Sequence, residues 1–183
     1  MSLKTTVLNP HADLIEQCRQ GSREAHYRLY KLYARSMYNV GYRIVNHAGE
    51  AEDVLQEAFI SAFRNLEYYR GDASFGSWLK RIVVNKAINV LKKRRAEPLE
   101  EGADFEVADP ADDEREFPYT VDQVKKAIAA LPDGYRSVLS LYLLEGYDHA
   151  EIAEIMGISE STSKSQFNRS KKKLLSLLEE GKL

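Results

Sequence analysis

The chain has 183 residues, with 26 Lys+Arg against 28 Asp+Glu and a formal net charge of −2. Its hydrophobic content of 44% is enough for one medium or two small cores, and 30% charge with only 10 Gly and 5 Pro favours helices over a β-sandwich. No apolar run approaches the roughly 18 residues of a membrane span, and no N-terminal stretch reads as a signal peptide. A single cysteine, Cys18, excludes an internal disulfide, so a reducing cytoplasm is the expected compartment.

In chain order, residues 11–20 read as a short helix with Leu14, Ile15 and Cys18 on one side, stopped by Gly21. Ser22 is a fitting N-cap for a helix to about Val45, and Asn46-His47-Ala48-Gly49 reads as a break. The next helix, about 50–66, carries an unbroken stripe: Ala51, Val54, Leu55, Ala58, Phe59, Ala62, Phe63 and Leu66. Beside it Asp53, Gln56, Glu57 and Ile60 form a second line at i, i+3, i+4 and i+7. Polar residues with one Ile on a single line suit docking to a partner helix.

A helix over about 74–95 follows, apolar at Trp78, Leu79, Ile82, Val83 and Leu91. Its other residues include Lys80, Arg81, Lys86, Lys92, Lys93, Arg94 and Arg95, with no acid among them. Asn85 and Asn89 lie one turn apart within that run, and Tyr69, expected in the preceding loop, is the candidate stacking ring. Cations gather phosphates, while amides and rings hold unstacked bases. A merely solvated basic face is the alternative.

Residues 98–118 hold nine acids and one base, Arg115, together with three prolines. That composition predicts a flexible acidic linker between two folded pieces, residues 1–97 with 16 bases and 10 acids, and residues 119–183 with nine of each. The near-neutral total therefore conceals a surplus of base in the first piece.

Helical patterns resume over Val121–Leu131, Tyr135–Glu145, Ala150–Met156 and Ser159 to about Leu178. The last pair reads as a helix-turn-helix, with Ala153 as the small contact and Gly157 in the turn. On its second helix Ser163, Phe167, Ser170, Leu174 and Leu178 share one side. Ser161, Lys164, Ser165, Asn168, Arg169 and Lys172 share the other, a row of donors for base edges and phosphates. No strand alternation competes, so the expected fold is all-α, with two small helical domains. The four histidines are scattered, no metal-ligand spacing occurs and no Gly-rich phosphate loop is present. No catalytic residues, metal or cofactor are therefore assigned, and an enzyme is not expected.

DVLQEAFISAF (53–63), YRGDASFGSWLKRIVVNKAINVLKKRR (69–95) and the segment from Leu131 to Leu174 together resemble bacterial RNA polymerase sigma factors of the extracytoplasmic-function (ECF) group. The resemblance implies a protein that binds core RNA polymerase and directs promoter-specific initiation. It implies polymerase clamp binding by Asp53, Gln56, Glu57 and Ile60, with Phe59 inward. It implies reading and opening of the −10 element by Tyr69, Arg81, Asn85 and Asn89, with Lys80 and Lys86 on phosphates. Reading of the −35 element falls on Lys164, Ser165, Asn168 and Arg169. An acidic linker that enters a nucleic-acid channel and a partner anti-sigma factor are implied as well.

Three positions depart from the family pattern. Ser163 stands for a branched aliphatic, Ser170 for a small apolar residue, and Lys164 for the commoner Arg. The serines are expected to weaken the recognition-helix core, and Lys cannot make the same bidentate guanine contact as Arg. A dedicated repressor or activator using only the C-terminal module is the runner-up, and an adaptor protein the third reading.

Overall fold

Gly21, with φ of +84°, ends the first helix and sets up the second, because that left-handed conformation costs a glycine little. A computed structural model describes residues 10–96 and 118–180, and among these every regular element is helical. The chain divides into two compact units, Met1–Val90 and Leu91–Leu183. The acidic stretch expected as a linker, 98–118, lies outside the described residues apart from Pro118.

The first unit begins with α1 (Ala12–Arg19), whose Ile15 and Cys18 are buried. Helix α2 (Arg23–Val45) starts at Ser22, whose hydroxyl accepts the Ala25 N–H at 3.2 Å. The break before α3 (Ala48–Arg64) is shorter than expected. Asn46 alone turns the chain, at φ +52°, and His47 caps the new helix by accepting the Glu50 N–H on Nδ1 at 3.3 Å. Helix α3 buries Ala51, Val54, Leu55, Ala58, Phe59 and Ala62 of the predicted stripe, while Phe63 is half-buried and Leu66 is buried just beyond the helix end. A single 3₁₀ turn (Leu66–Tyr68), not foreseen, leads into the loop before α4 (Phe75–Ala96).

Within the first unit, helix α4 turns Phe75, Leu79, Val83, Val84, Ala87 and Ile88 inward. Burying each of its larger aliphatics contributes about 1.5–3 kcal/mol before entropy is charged against it. Gly41 of α2 faces this core: a Cβ there would lie 3.4 Å from Val54 and 3.7 Å from Val83. Ordinary contact at that spacing means three helices close around the smallest side chain.

In the second unit, α5 (Val121–Ala130) opens on a capping box. Thr120 accepts the Gln123 N–H at 3.3 Å, and the Gln123 side chain accepts the Thr120 N–H at 2.8 Å. Helix α6 (Asp133–Leu143) begins two residues earlier than the pattern suggested. Asp133 sits in its first turn, where the dipole favours a carboxylate, and pairs with the buried Arg136 guanidinium. Arg136 also donates to the Leu131 carbonyl at 2.7 Å, tying the α5–α6 turn together. Helices α7 (His149–Met156) and α8 (Glu160–Glu179) complete the unit, with α8 packed on α5, α6 and α7.

Candidate nucleic-acid interface

The turn between α7 and α8 is built from local hydrogen bonds. Asp148 and Glu151 form a capping box at the start of α7, at 2.8 and 2.9 Å. Gly157 ends it at φ +72°, and the amides of Gly157 and Ile158 both donate to the Ala153 carbonyl. Ser159 caps α8 by accepting the Thr162 N–H at 3.0 Å.

This turn fixes which face of α8 is outside. Ser161, Lys164, Ser165, Asn168 and Arg169 are exposed and Lys172 is half-buried, while Ser163, Ser170 and Leu178 are buried. Lys164 forms an i,i+4 ion pair with Glu160 at 2.7 Å, and the Glu160 hydrogen bond and charge raise its pKa above the usual lysine value. Its ammonium is a held point charge. The Ser165 hydroxyl donates back to the Thr162 carbonyl at 3.0 Å, so it must rotate before it can donate to a base.

The two unusual serines do not leave orphaned hydroxyls in the core. The Ser163 hydroxyl lies 2.9 Å from His149 Nδ1 on α7, and Ser170 donates to the Phe167 carbonyl at 2.7 Å. His149 stacks on Tyr142 with centroids 4.6 Å apart and meets Phe167 edge-on at 5.5 Å. The packing lost with an aliphatic at 163 is offset by a polar pair inside an aromatic cluster. Sequence reading gave His149 no role, because no helical period links positions 149 and 163.

In the first unit Arg81, Asn85 and Asn89 are exposed at four-residue steps on α4, and Lys80 and Lys86 are half-buried. Lys86 pairs with Glu57 of α3 at 3.2 Å. Asp53, Gln56, Glu57 and Ile60 are all exposed, Ile60 by 51%, on the side of α3 opposite its stripe.

Tyr69 is placed otherwise than expected. It is only 5% exposed, with its ring 5.6 Å from Phe75 and 5.3 Å from Trp78, and its hydroxyl donates to the Ala73 carbonyl at 2.6 Å. Burial pushes its phenol pKa up, and the Asp72 carboxylate adds to that against the opposing Arg19 charge, so the donor stays protonated. It pins the loop and is not a free stacking platform. Its neighbour Tyr68, 69% exposed, is the ring that faces solvent. Adjacent tyrosines in a loop carry no periodic signal, so sequence could not choose between them.

Among the described residues no group of three His, Cys, Asp or Glu could hold a metal, and no helix is long and apolar enough to cross a membrane.

Residues 29–97 match the family model described as Sigma-70 region 2, and residues 122–174 match Sigma-70, region 4. The chain is 31% identical over 168 residues to the ECF RNA polymerase sigma factor SigM of Mycobacterium tuberculosis, covering 92% of this chain and 84% of that one. It is 32% identical to the ECF RNA polymerase sigma-E factor of Escherichia coli, covering 86% and 88%. The chain belongs to the ECF RNA polymerase sigma factors. It therefore directs promoter-specific transcription initiation, and its two exposed helical faces belong to region 2 and region 4 of a sigma factor. The ECF sigma factor SigW of Bacillus subtilis is 30% identical, with 87% and 92% covered.

Two solved structures share the fold. Bartonella quintana RpoE, solved with the anti-sigma factor NepR, has a TM-score of 0.56 at 20% identity and covers 84% of this chain and 96% of its own. CnrH, solved with the cytosolic domain of CnrY, has a TM-score of 0.54 at 22% identity, covering 91% and 95%.

Proposed function

We propose that this sigma factor divides its work among three surfaces. The exposed line Asp53, Gln56, Glu57 and Ile60 docks on core polymerase. The α4 face with Lys80, Arg81, Asn85, Lys86 and Asn89, together with the loop that Tyr69 pins, captures the −10 element as it opens. The α8 face with Ser161, Lys164, Ser165, Asn168, Arg169 and Lys172 reads the −35 element in the major groove. Residues 1–97 and 119–183 act as separate binding domains joined by the acidic 98–118 segment. The protein works in the cytoplasm and catalyses no reaction of its own.

The observation that carries this reading is the line Arg81, Asn85 and Asn89, exposed along the back of a helix whose opposite side is fully buried. A repressor using only the C-terminal module gives that line nothing to do. A sigma factor of the same fold, Bartonella quintana RpoE, was solved with the anti-sigma factor NepR bound, which supports an anti-sigma partner here. Permanganate footprinting of holoenzyme on a target promoter tests the −10 assignment. Asn85→Ala is expected to slow strand opening while initial duplex binding is retained; normal opening would remove Asn85 from the reading.

A further inference from the structure

The loop between α3 and α4 is held by a residue from far upstream. Arg19, the last residue of α1, donates from Nε to the Leu66 carbonyl at 3.4 Å and from a terminal nitrogen to the Tyr69 carbonyl. Its other terminal nitrogen meets Glu16 Oε2 at 3.4 Å, and Glu16 Oε1 in turn accepts from Gln20 at 3.3 Å. These two carbonyls belong to the first and next-following residues of the 3₁₀ turn Leu66–Tyr68. The Leu66 carbonyl also accepts the Tyr69 N–H at 3.2 Å, while the Tyr69 carbonyl lies past the turn, where no continuing helix can satisfy it. A guanidinium does so here, and its planar fork can serve two carbonyls and a carboxylate at once, which a lysine cannot.

The loop is thus fastened at both ends. Arg19 holds residues 66–69, and the Tyr69 hydroxyl holds Ala73. Between them Arg70 and Asp72 are exposed and Gly71 turns at φ +79°. Helix α1 lies outside residues 29–97, the stretch matched as Sigma-70 region 2.

We propose that Arg19 is a positioning residue for −10 recognition: it fixes the loop 66–73 so that its exposed tip meets the unstacked base at the right height beside α4. The inference rests on the −10 reading given above. Its mechanism is preorganisation, since a loop already ordered loses less conformational entropy when a base docks on it.

The test compares holoenzymes carrying Arg19→Ala, Arg19→Lys, Glu16→Gln and Asn85→Ala on one promoter and on single-base variants of its −10 element. For Arg19→Ala we expect strand opening slowed roughly tenfold, the equivalent of one charge-assisted hydrogen bond. Discrimination among −10 variants should shrink too, with closed-complex and core-polymerase affinities within about twofold of the parent on the same scale. Arg19→Lys should recover part of the loss and Glu16→Gln should lie between. If Arg19→Ala fails to fold, the Lys and Gln variants carry the same comparison. Normal opening and discrimination in the Arg19 variants beside a defective Asn85→Ala would overturn the role of Arg19 alone. A loss spread equally over core binding, closed complex and opening would overturn it as well. Normal opening in Asn85→Ala would count against the −10 reading, and base discrimination in Arg19→Ala would then decide the inference.

Discussion

Glu57 belongs to two surfaces, exposed on the line of α3 proposed to dock on core polymerase and paired with Lys86 of α4. The Glu57 side chain is 66% exposed, and an ion pair so open to water contributes only about 0–1 kcal/mol. Removing it should leave the fold standing. Gln56→Ala combined with Glu57→Ala is expected to weaken core-polymerase binding about tenfold or more, with the thermal melt shifted by no more than a few degrees; unchanged affinity in a titration of labelled core would contradict the docking assignment. On α8, Arg169 is exposed and Arg is the residue suited to bidentate guanine contact. Arg169→Ala should cost roughly 1–3 kcal/mol on the cognate −35 element and relax preference at one base position, read by competition binding of holoenzyme to −35 variants.

Elements were more legible than their contents. The apolar periods of α2, α3, α4 and α8 put those helices within a residue or two of where they lie, because tertiary burial enforces the same period that the sequence displays. Misses came where chain chemistry is local: His47 and Asp133 start helices earlier than periodicity shows, and the 3₁₀ turn at Leu66 has no period at all. The exposed faces were legible as the complement of the buried ones. Contacts between distant residues, such as His149 with Ser163 and Arg19 with Tyr69, were not, since nothing in a linear pattern joins them.

The His149–Ser163 pair makes an element-scale prediction. Ser163→Ala should lower the opening free energy of α7 and α8 by about 1 kcal/mol, with a coupling to His149→Ala of about 0.5–1.5 kcal/mol, measured by native-state amide exchange on the full chain. Additive single mutants would mean that the pair contributes nothing. Helix α1 has its own reporter. Cys18 is 3% exposed and burial raises its thiol pKa, so both access and thiolate fraction are reduced. Its labelling by a thiol reagent should be slow in the native protein and become fast only when urea releases α1 from the first unit.

At the scale of the whole molecule, the net charge of −2 is a poor guide to function. Bases gather along α4 and α8 while nine of the 28 acids fall within residues 98–118. Neutralising one proposed phosphate contact, as in Lys80→Ala on α4, should weaken holoenzyme binding to all sequences alike and flatten the logarithmic salt slope by about one. A −8 segment suits a channel built for polyanionic nucleic acid, whose field it would share. The proposed division of DNA contacts between two units implies that neither is sufficient alone, so free protein is expected to bind promoter DNA weakly. A dedicated repressor would do the opposite, binding tightly by itself and in most cases as a dimer on a palindrome.

In vitro transcription with purified core RNA polymerase tests the sigma-factor assignment most directly. Adding this chain to core on a library of promoter fragments should produce transcripts from a limited set, with defined start points and none in its absence. Tight binding of the free chain to those fragments, with no new transcript from added core, would contradict it.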